Sequence, residues 1–245
     1  MKLLVCISKT PETTSKISFI DGKTFNAEGV QFIMNPYDEW YALVRALELV
    51  EANGGSVTVI NVGPPANDIV IRKALAIGAN DAVRIDAEAE SAFQVATYIA
   101  NYAKEQGYDI ILTGKETIDY NGSEVGGMIA ELINQPFISY ASKLKVAGQT
   151  ATIQRDIEGG IESLEVNTPF VLSAAKGLAE QRIPNMRGIM MAKKKPLTVV
   201  NPEVVESNVK ITSFQLPPEK TGVKLIDPDN IDELVRLLHE EAKVI

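Results

Sequence analysis

Up to about Asn134, short apolar runs alternate with longer stretches of helical period, the order expected of βαβ units around a parallel sheet. Lys2 to Ser8, Ser56 to Asn61, Ala82 to Ile85 and Asp109 to Thr113 read as the strands. Asn35-Pro36 predicts a helix start, with Asn35 as the cap and proline at the first helical position. Trp40, Leu43, Val44 and Leu47 then recur at i, i+3, i+4 and i+7 and define its buried face. A second helix spans Ile69 to Ile77 and stops at Gly78. A third carries Ala92, Val95, Ala96, Ile99 and Ala103 on one stripe, with Gly107 as its stop.

The pattern changes after Gln135-Pro136. Ile138 to Lys145, Thr150 to Asp156, Ile161 to Asn167 and Phe170 to Ala174 read as short strands joined by Gly148 and Gly159-Gly160, which predicts antiparallel pairing. Between Arg182 and Pro196, Ile183, Met186, Ile189, Met190 and Met191 stand among basic residues, and Pro184 and Gly188 argue against a long helix. Methionines on a basic, irregular segment suit a surface that docks to several partners, because thioether side chains repack at low cost. From Asn201 to Asn230 there is little periodicity, and Pro202, Pro217, Pro218 and Pro228 are scattered through it. Ile231, Leu234, Val235 and Leu238 then restore an apolar helical stripe. The expected fold is a Rossmann-like (adenine-nucleotide-binding) α/β domain over residues 1–200, its parallel sheet extended by antiparallel strands. Residues 201–245 form an arm and helix, more easily explained as packing on a partner subunit; a linker with a self-docked helix is the alternative.

At 245 residues with 45% apolar content, the chain can bury a full core. The run Leu3 to Ile7 is too short for a signal sequence, and nothing else approaches a membrane span, so the expectation is a cytoplasmic protein without membrane insertion. With one cysteine, Cys6, there is no internal disulfide to form, and one histidine argues against a zinc site. A net charge of −8 argues against a nucleic-acid partner. No nucleophile with a base and an orienting group can be assembled, so no catalytic residue is expected.

In open α/β sheets ligands bind beyond the carboxyl ends of the strands, which directs attention to Ser8-Lys9, Asn61 to Pro64 and Thr113 onward. Thr113 to Gly127 runs from a strand into a helix and offers backbone amides near Gly122 to Val125 that suit a phosphate. It has neither the Walker spacing nor Gly-x-Gly-x-x-Gly, so on its residues alone an ordinary turn is an equal reading. Asn121 with Glu124 three residues on predicts a capping box.

Several motifs in order carry a family resemblance: Leu3-Leu4-Val5-Cys6, Asn35-Pro36, Ile71 to Ala79, Gly-Lys-x-x-Ile-Asp from Gly114, Gly159-Gly160-Ile161-Glu162, Gly188 to Lys195, and Thr221 to Lys224. Together they resemble the β subunit of electron-transfer flavoprotein along nearly the whole chain. The resemblance implies the small subunit of a heterodimeric electron carrier, not itself an enzyme, with FAD held mainly by the α subunit. It also implies an adenine nucleotide on this chain, AMP or, as in the bifurcating, NADH-oxidising branch, a second FAD. That nucleotide would be held by Gly114, Lys115, Glu116, Thr117, Ile118, Asp119, Tyr120, Asn121, Gly122, Ser123, Glu124 and Val125, joined by Cys6, Asn35 and Val62. Tyr37 matches an aromatic position near the partner's flavin, with a core or half-buried tyrosine as the other reading. Glu162 matches an acidic residue that pairs with an arginine of the α subunit, and on its own residues reads as a solvated edge carboxylate. Met186 matches the apolar residue, usually Leu, that enters a dehydrogenase pocket. Electrons from flavin dehydrogenases, such as acyl-CoA dehydrogenases, would pass to a quinone oxidoreductase. The chain departs from the family pattern at Glu124, where Gln is common, at Gln181, where Pro is usual, and at Ile183, where an aromatic is usual. A nucleotide-binding enzyme or sensor of the same fold is the competing class, although only Asp119 in the loop could serve Mg²⁺.

Overall fold

The computed structural model describes residues 1–219 and 222–245, so Thr221 of the Thr221 to Lys224 run lies outside the described residues. Strand β1 (Lys2–Cys6) takes the interior of the main sheet because it is apolar on both sides. Leu3 and Val5 enter one core layer, Leu4 and Cys6 the other, which is stable only when helices cover both faces. The chain next forms two small sheets, β2 (Lys9–Pro11) with β5 (Phe32–Met34) and β3 (Phe19–Ile20) with β4 (Thr24–Phe25). Helix α1 (Asp38–Asn53) then crosses to β6 (Ser56–Val62), parallel to β1, and α2 (Asp68–Ile77) leads to β7 (Asp81–Ile85). Leu43 and Leu47 of α1 and Ile71 and Leu75 of α2 fill the first core layer.

Helix α3 (Ala92–Ala103) carries the chain back to β8 (Ile110–Gly114), which pairs parallel on the other side of β1. The direction of strand addition therefore reverses between β1 and β8, and a crevice opens beyond their carboxyl ends. Helix α4 (Val125–Ile133) packs against α3 in the second layer through Ile129 and Ala130. The strands β9 (Phe137–Ala147), β10 (Thr150–Ile157) and β11 (Gly160–Asn167) form the antiparallel edge. Strand β12 (Phe170–Ala174), expected to be antiparallel, instead lies between β9 and β8 and runs parallel to both. All five of its residues are buried, the composition of an interior parallel strand.

After the seven-residue helix α5 (Met186–Ala192), β13 (Leu197–Val200) adds parallel to β7 and gives the order β11-β10-β9-β12-β8-β1-β6-β7-β13. The first part of the arm lies on its own chain. Gln94 Nε2 donates to the Val205 carbonyl (2.7 Å), and Phe214 stacks on Phe19 with ring centroids 4.6 Å apart. Helix α6 (Ile231–Leu237) leaves Ile231, Leu234 and Val235 exposed. No helix among the described residues is long and apolar enough to cross a membrane.

Candidate functional site

The crevice between β1 and β8 is shaped by Asn35, which was expected to cap α1 and does not. That helix begins at Asp38 after Tyr37, whose φ of 64° interrupts the turn. Asn35 is fully buried, and its amide is committed to the loop after β8: Nδ2 donates to the Glu116 carbonyl (3.0 Å) and Oδ1 accepts from the Ile118 amide (3.2 Å). One side chain thus staples the near half of the 114–125 loop, and the demand for those two bonds explains why it is not spent on the helix.

The far half, Asp119 to Glu124, is exposed. Asn121 and Ser123 both have φ of 52°, a region that disfavours side chains other than glycine and, for Ser, signals a backbone held against its preference. Helix α4 starts only at Val125, and Glu124 makes no capping bond, so the expected Asn121–Glu124 capping box is not formed. The two left-handed residues turn the chain away from the geometry that box requires. Among the described residues, the amides of Gly122, Ser123 and Glu124 have no hydrogen-bonded partner within the chain. Those amides and the α4 N-terminus make a favourable place for an anion. The exposed Glu124 carboxylate folds back beside Gly122, 3.6 Å from where a Cβ there would stand, and an anion would have to displace it.

An open cavity of about 320 Å³ adjoins the loop, lined by Tyr37, Asp38, Tyr41, Lys115, Ile118 and Lys176 among others. Tyr37 is an exposed rim residue rather than a core one. Burial pushes the Asp38 carboxyl above its ordinary range, against the pull of nearby Lys115. Lys115 pairs with Glu116 at 3.0 Å, a bond that raises the ammonium's pKa. Lys176, which sequence reasoning missed, brings a second cation to the cavity.

Behind the loop, Glu39 is buried, with both carboxyl oxygens taken by Ser8 at 2.7 Å. Burial, opposed by those two hydrogen bonds, pushes it up to about 8. The folded chain therefore holds this proton between 4.5 and about 8, where the unfolded chain has lost it, so the Glu39 contribution to stability falls as pH rises through that window. Cys6 is buried, and its thiol is pushed well up by desolvation and then by Glu39, which makes it inert. Val62 ends β6, and a Cβ at the adjoining Gly63 would push the Asn67 side chain off its bond to Asn61 Oδ1 (2.9 Å).

The methionine segment is far less irregular than its sequence suggests. Asn185 accepts from the Gly188 amide and caps α5 (2.8 Å), while Gly188 presses so closely on α2 that a Cβ would stand 2.4 Å from the Ala76 carbonyl. Arg72 donates to the carbonyls of Ala192 and Lys195, both at 2.8 Å. Lys195, one of the basic residues of this segment, turns its Nζ onto the carbonyls of Leu75, Gly78 and Ala79 at the end of α2 (2.9, 3.2 and 2.6 Å). A cation there answers both the unpaired carbonyls and the helix dipole. Lys195→Met is expected to cost about 1–3 kcal/mol of stability, read as a lowered melting temperature. An unchanged melt would show the clip to be dispensable. Held on this base, Met186 is 74% exposed and Ile183 84% exposed.

Glu162 lies on β11, opposite Arg155 in register, and accepts from its Nε at 2.5 Å. An arginine from another chain would therefore share a carboxylate that already has one partner.

Fold and site together define a doubly wound α/β domain with a stapled loop at its switch point and a separate, rigidly based apolar knob. An electron transfer flavoprotein domain matches residues 23–205. The chain is 36% identical to the electron transfer flavoprotein subunit beta of Bacillus subtilis, with 100% of both chains covered. It is 33% identical to the caffeyl-CoA reductase-Etf complex subunit CarD of Acetobacterium woodii, over 99% of this chain and 98% of that one. It is 28% identical to the acryloyl-CoA reductase electron transfer subunit gamma of Anaerotignum propionicum, over 98% and 99%. The chain belongs to the electron transfer flavoprotein family, as a β subunit. It is an electron-carrier subunit of a flavin-containing assembly, and β subunits of this family pair with an α subunit.

Proposed function

We propose that this chain is the small subunit of a cytoplasmic heterodimer whose FAD is held mainly by the α subunit. It receives electrons from flavin dehydrogenases, acyl-CoA dehydrogenases among them, and delivers them to a quinone oxidoreductase. It breaks no substrate bond itself. The bound flavin supplies the redox chemistry; the chain's own residues flank, orient and dock. The observation that carries this reading is the loop at the β1/β8 switch point, fixed by Asn35 and presenting unpartnered amides beside the α4 N-terminus.

That loop fits an adenine nucleotide. The amides of Gly122 to Val125 would take its phosphate, and Lys115 and Lys176 offset the acidic groups nearby. Asn35 acts by shaping the loop, since both of its amide atoms are used. Cys6 and Val62 border the site from the ends of β1 and β6. AMP is the simpler occupant, and a second FAD is the alternative. Tyr37 faces the α subunit's flavin from the rim, Glu162 is shared with an arginine of the α subunit, and Met186 enters a dehydrogenase pocket. The arm beyond residue 214, ending in α6, packs on the α subunit.

Gly122→Val tests the loop. The nearest atom to an added Cβ is 3.6 Å away, so the chain accommodates the substitution while its side chain covers the amides. Purified heterodimer carrying it should lose most of its adenine nucleotide and keep its flavin. Full nucleotide retention would show that the ligand lies elsewhere.

A further inference from the structure

We infer that Glu39 is a positioning residue for the nucleotide site, setting the shape of the loop through Ser8 and Gly114; this rests on the nucleotide reading of residues 114–125. Glu39 is the second residue of α1, yet its side chain points into the crevice floor rather than to solvent. Its Oε2 accepts from the Ser8 amide and its Oε1 from the Ser8 hydroxyl, both at 2.7 Å. The Ser8 carbonyl in turn accepts from the Asn35 amide (3.1 Å), and Asn35 staples Glu116 and Ile118. On the other side Glu39 fills the space a side chain at position 114 would need: a Cβ there would stand 2.8 Å from Glu39 Cγ and 3.2 Å from its amide nitrogen. The residue therefore bridges the three pieces of backbone that bound the crevice: from the start of α1 its carboxyl is bonded to Ser8 at the exit of β1, and its Cγ packs against Gly114 at the exit of β8.

The chemistry of the group gives the arrangement a signature that plain packing would lack. The groups facing Glu39 are Asp38 on its own helix, Asp119 from the loop and the Cys6 thiol on β1, and no lysine or arginine pairs with it among the described residues. Burial and the two aspartates favour its neutral form near neutrality, against the Ser8 bonds. Raising the pH through about 8 forces a charge into a floor with no countercharge, and the loop should loosen.

The test uses the heterodimer with Glu39→Ala and Glu39→Gln, reading amide exchange at Ser8 and Ile118 and adenine nucleotide content across pH. Glu39→Ala should speed exchange at both amides by about tenfold and lose most of the nucleotide. Glu39→Gln, which keeps an acceptor for Ser8 but does not ionise, should restore both and abolish the loss of nucleotide expected of the unaltered protein above pH of about 8. Unaltered exchange in Glu39→Ala, or a Glu39→Gln profile that still falls with pH, would overturn the proposal. If Glu39→Ala fails to assemble, the Glu39→Gln profile decides. If the unaltered heterodimer carries no adenine nucleotide, the nucleotide reading fails while the exchange comparison still judges the positioning role.

Discussion

Met186→Glu is expected to slow reduction of the heterodimer by a partner dehydrogenase by roughly a hundredfold in kcat/KM, while leaving flavin content and heterodimer formation intact. Met186 opens α5 and is 74% exposed, so it has little core role to lose. Its position is nevertheless fixed, by the Asn185 cap, by the close approach of Gly188 to α2 and by the clips from Arg72 and Lys195. A pre-set apolar side chain suits a central anchor, and forcing a carboxylate into the apolar pocket it would fill costs about 2–3 kcal/mol. Stability should barely move, because an acidic residue is tolerated in the first turn of a helix. Stopped-flow reduction alongside a thermal melt separates the readings: an unchanged rate with a lowered melting temperature would make Met186 a packing residue only.

Ending the chain at Pro218 should weaken association with the α subunit by at least about a hundredfold and leave the body folded. The truncated chain keeps the contacts that tie the arm to its own domain, Val205 on α3 and Phe214 on Phe19. It loses α6, whose Ile231, Leu234 and Val235 are exposed and left uncovered among the described residues. Burying three such side chains against a partner is worth several kcal/mol before the ordering cost of the arm, enough for a change of that size. Titration calorimetry against the α subunit measures it. An unchanged Kd would place the arm outside the interface.

The doubly wound half was legible because its strands and helices have different periods, and the helix stripes identified from Trp40 to Leu47 and from Ala92 to Ala103 are those that pack on the sheet. The antiparallel edge was legible from its glycine turns. The placement of β12 was not, because the neighbours of a strand are fixed by long-range pairing rather than by its own residues. Local signals failed where tertiary demands outbid them: Asn35 serves the loop instead of capping α1, and Glu124 leaves the expected capping box unmade. Lys195 is one charge in a basic run, and nothing local shows that its ammonium closes the end of α2. Glu39 carried the least signal of all. An acidic residue in the first turn normally complements the helix dipole at the surface, and its burial follows only from the meeting of β1, β8 and α1.

The most direct measurement is mass spectrometry of the nucleotides released from purified, denatured heterodimer, counted against protein. The account predicts FAD from the shared site and one further adenine nucleotide per heterodimer, AMP or a second FAD, which Gly122→Val removes selectively. A heterodimer that releases a single FAD and no other nucleotide would contradict the assignment of the 114–125 loop.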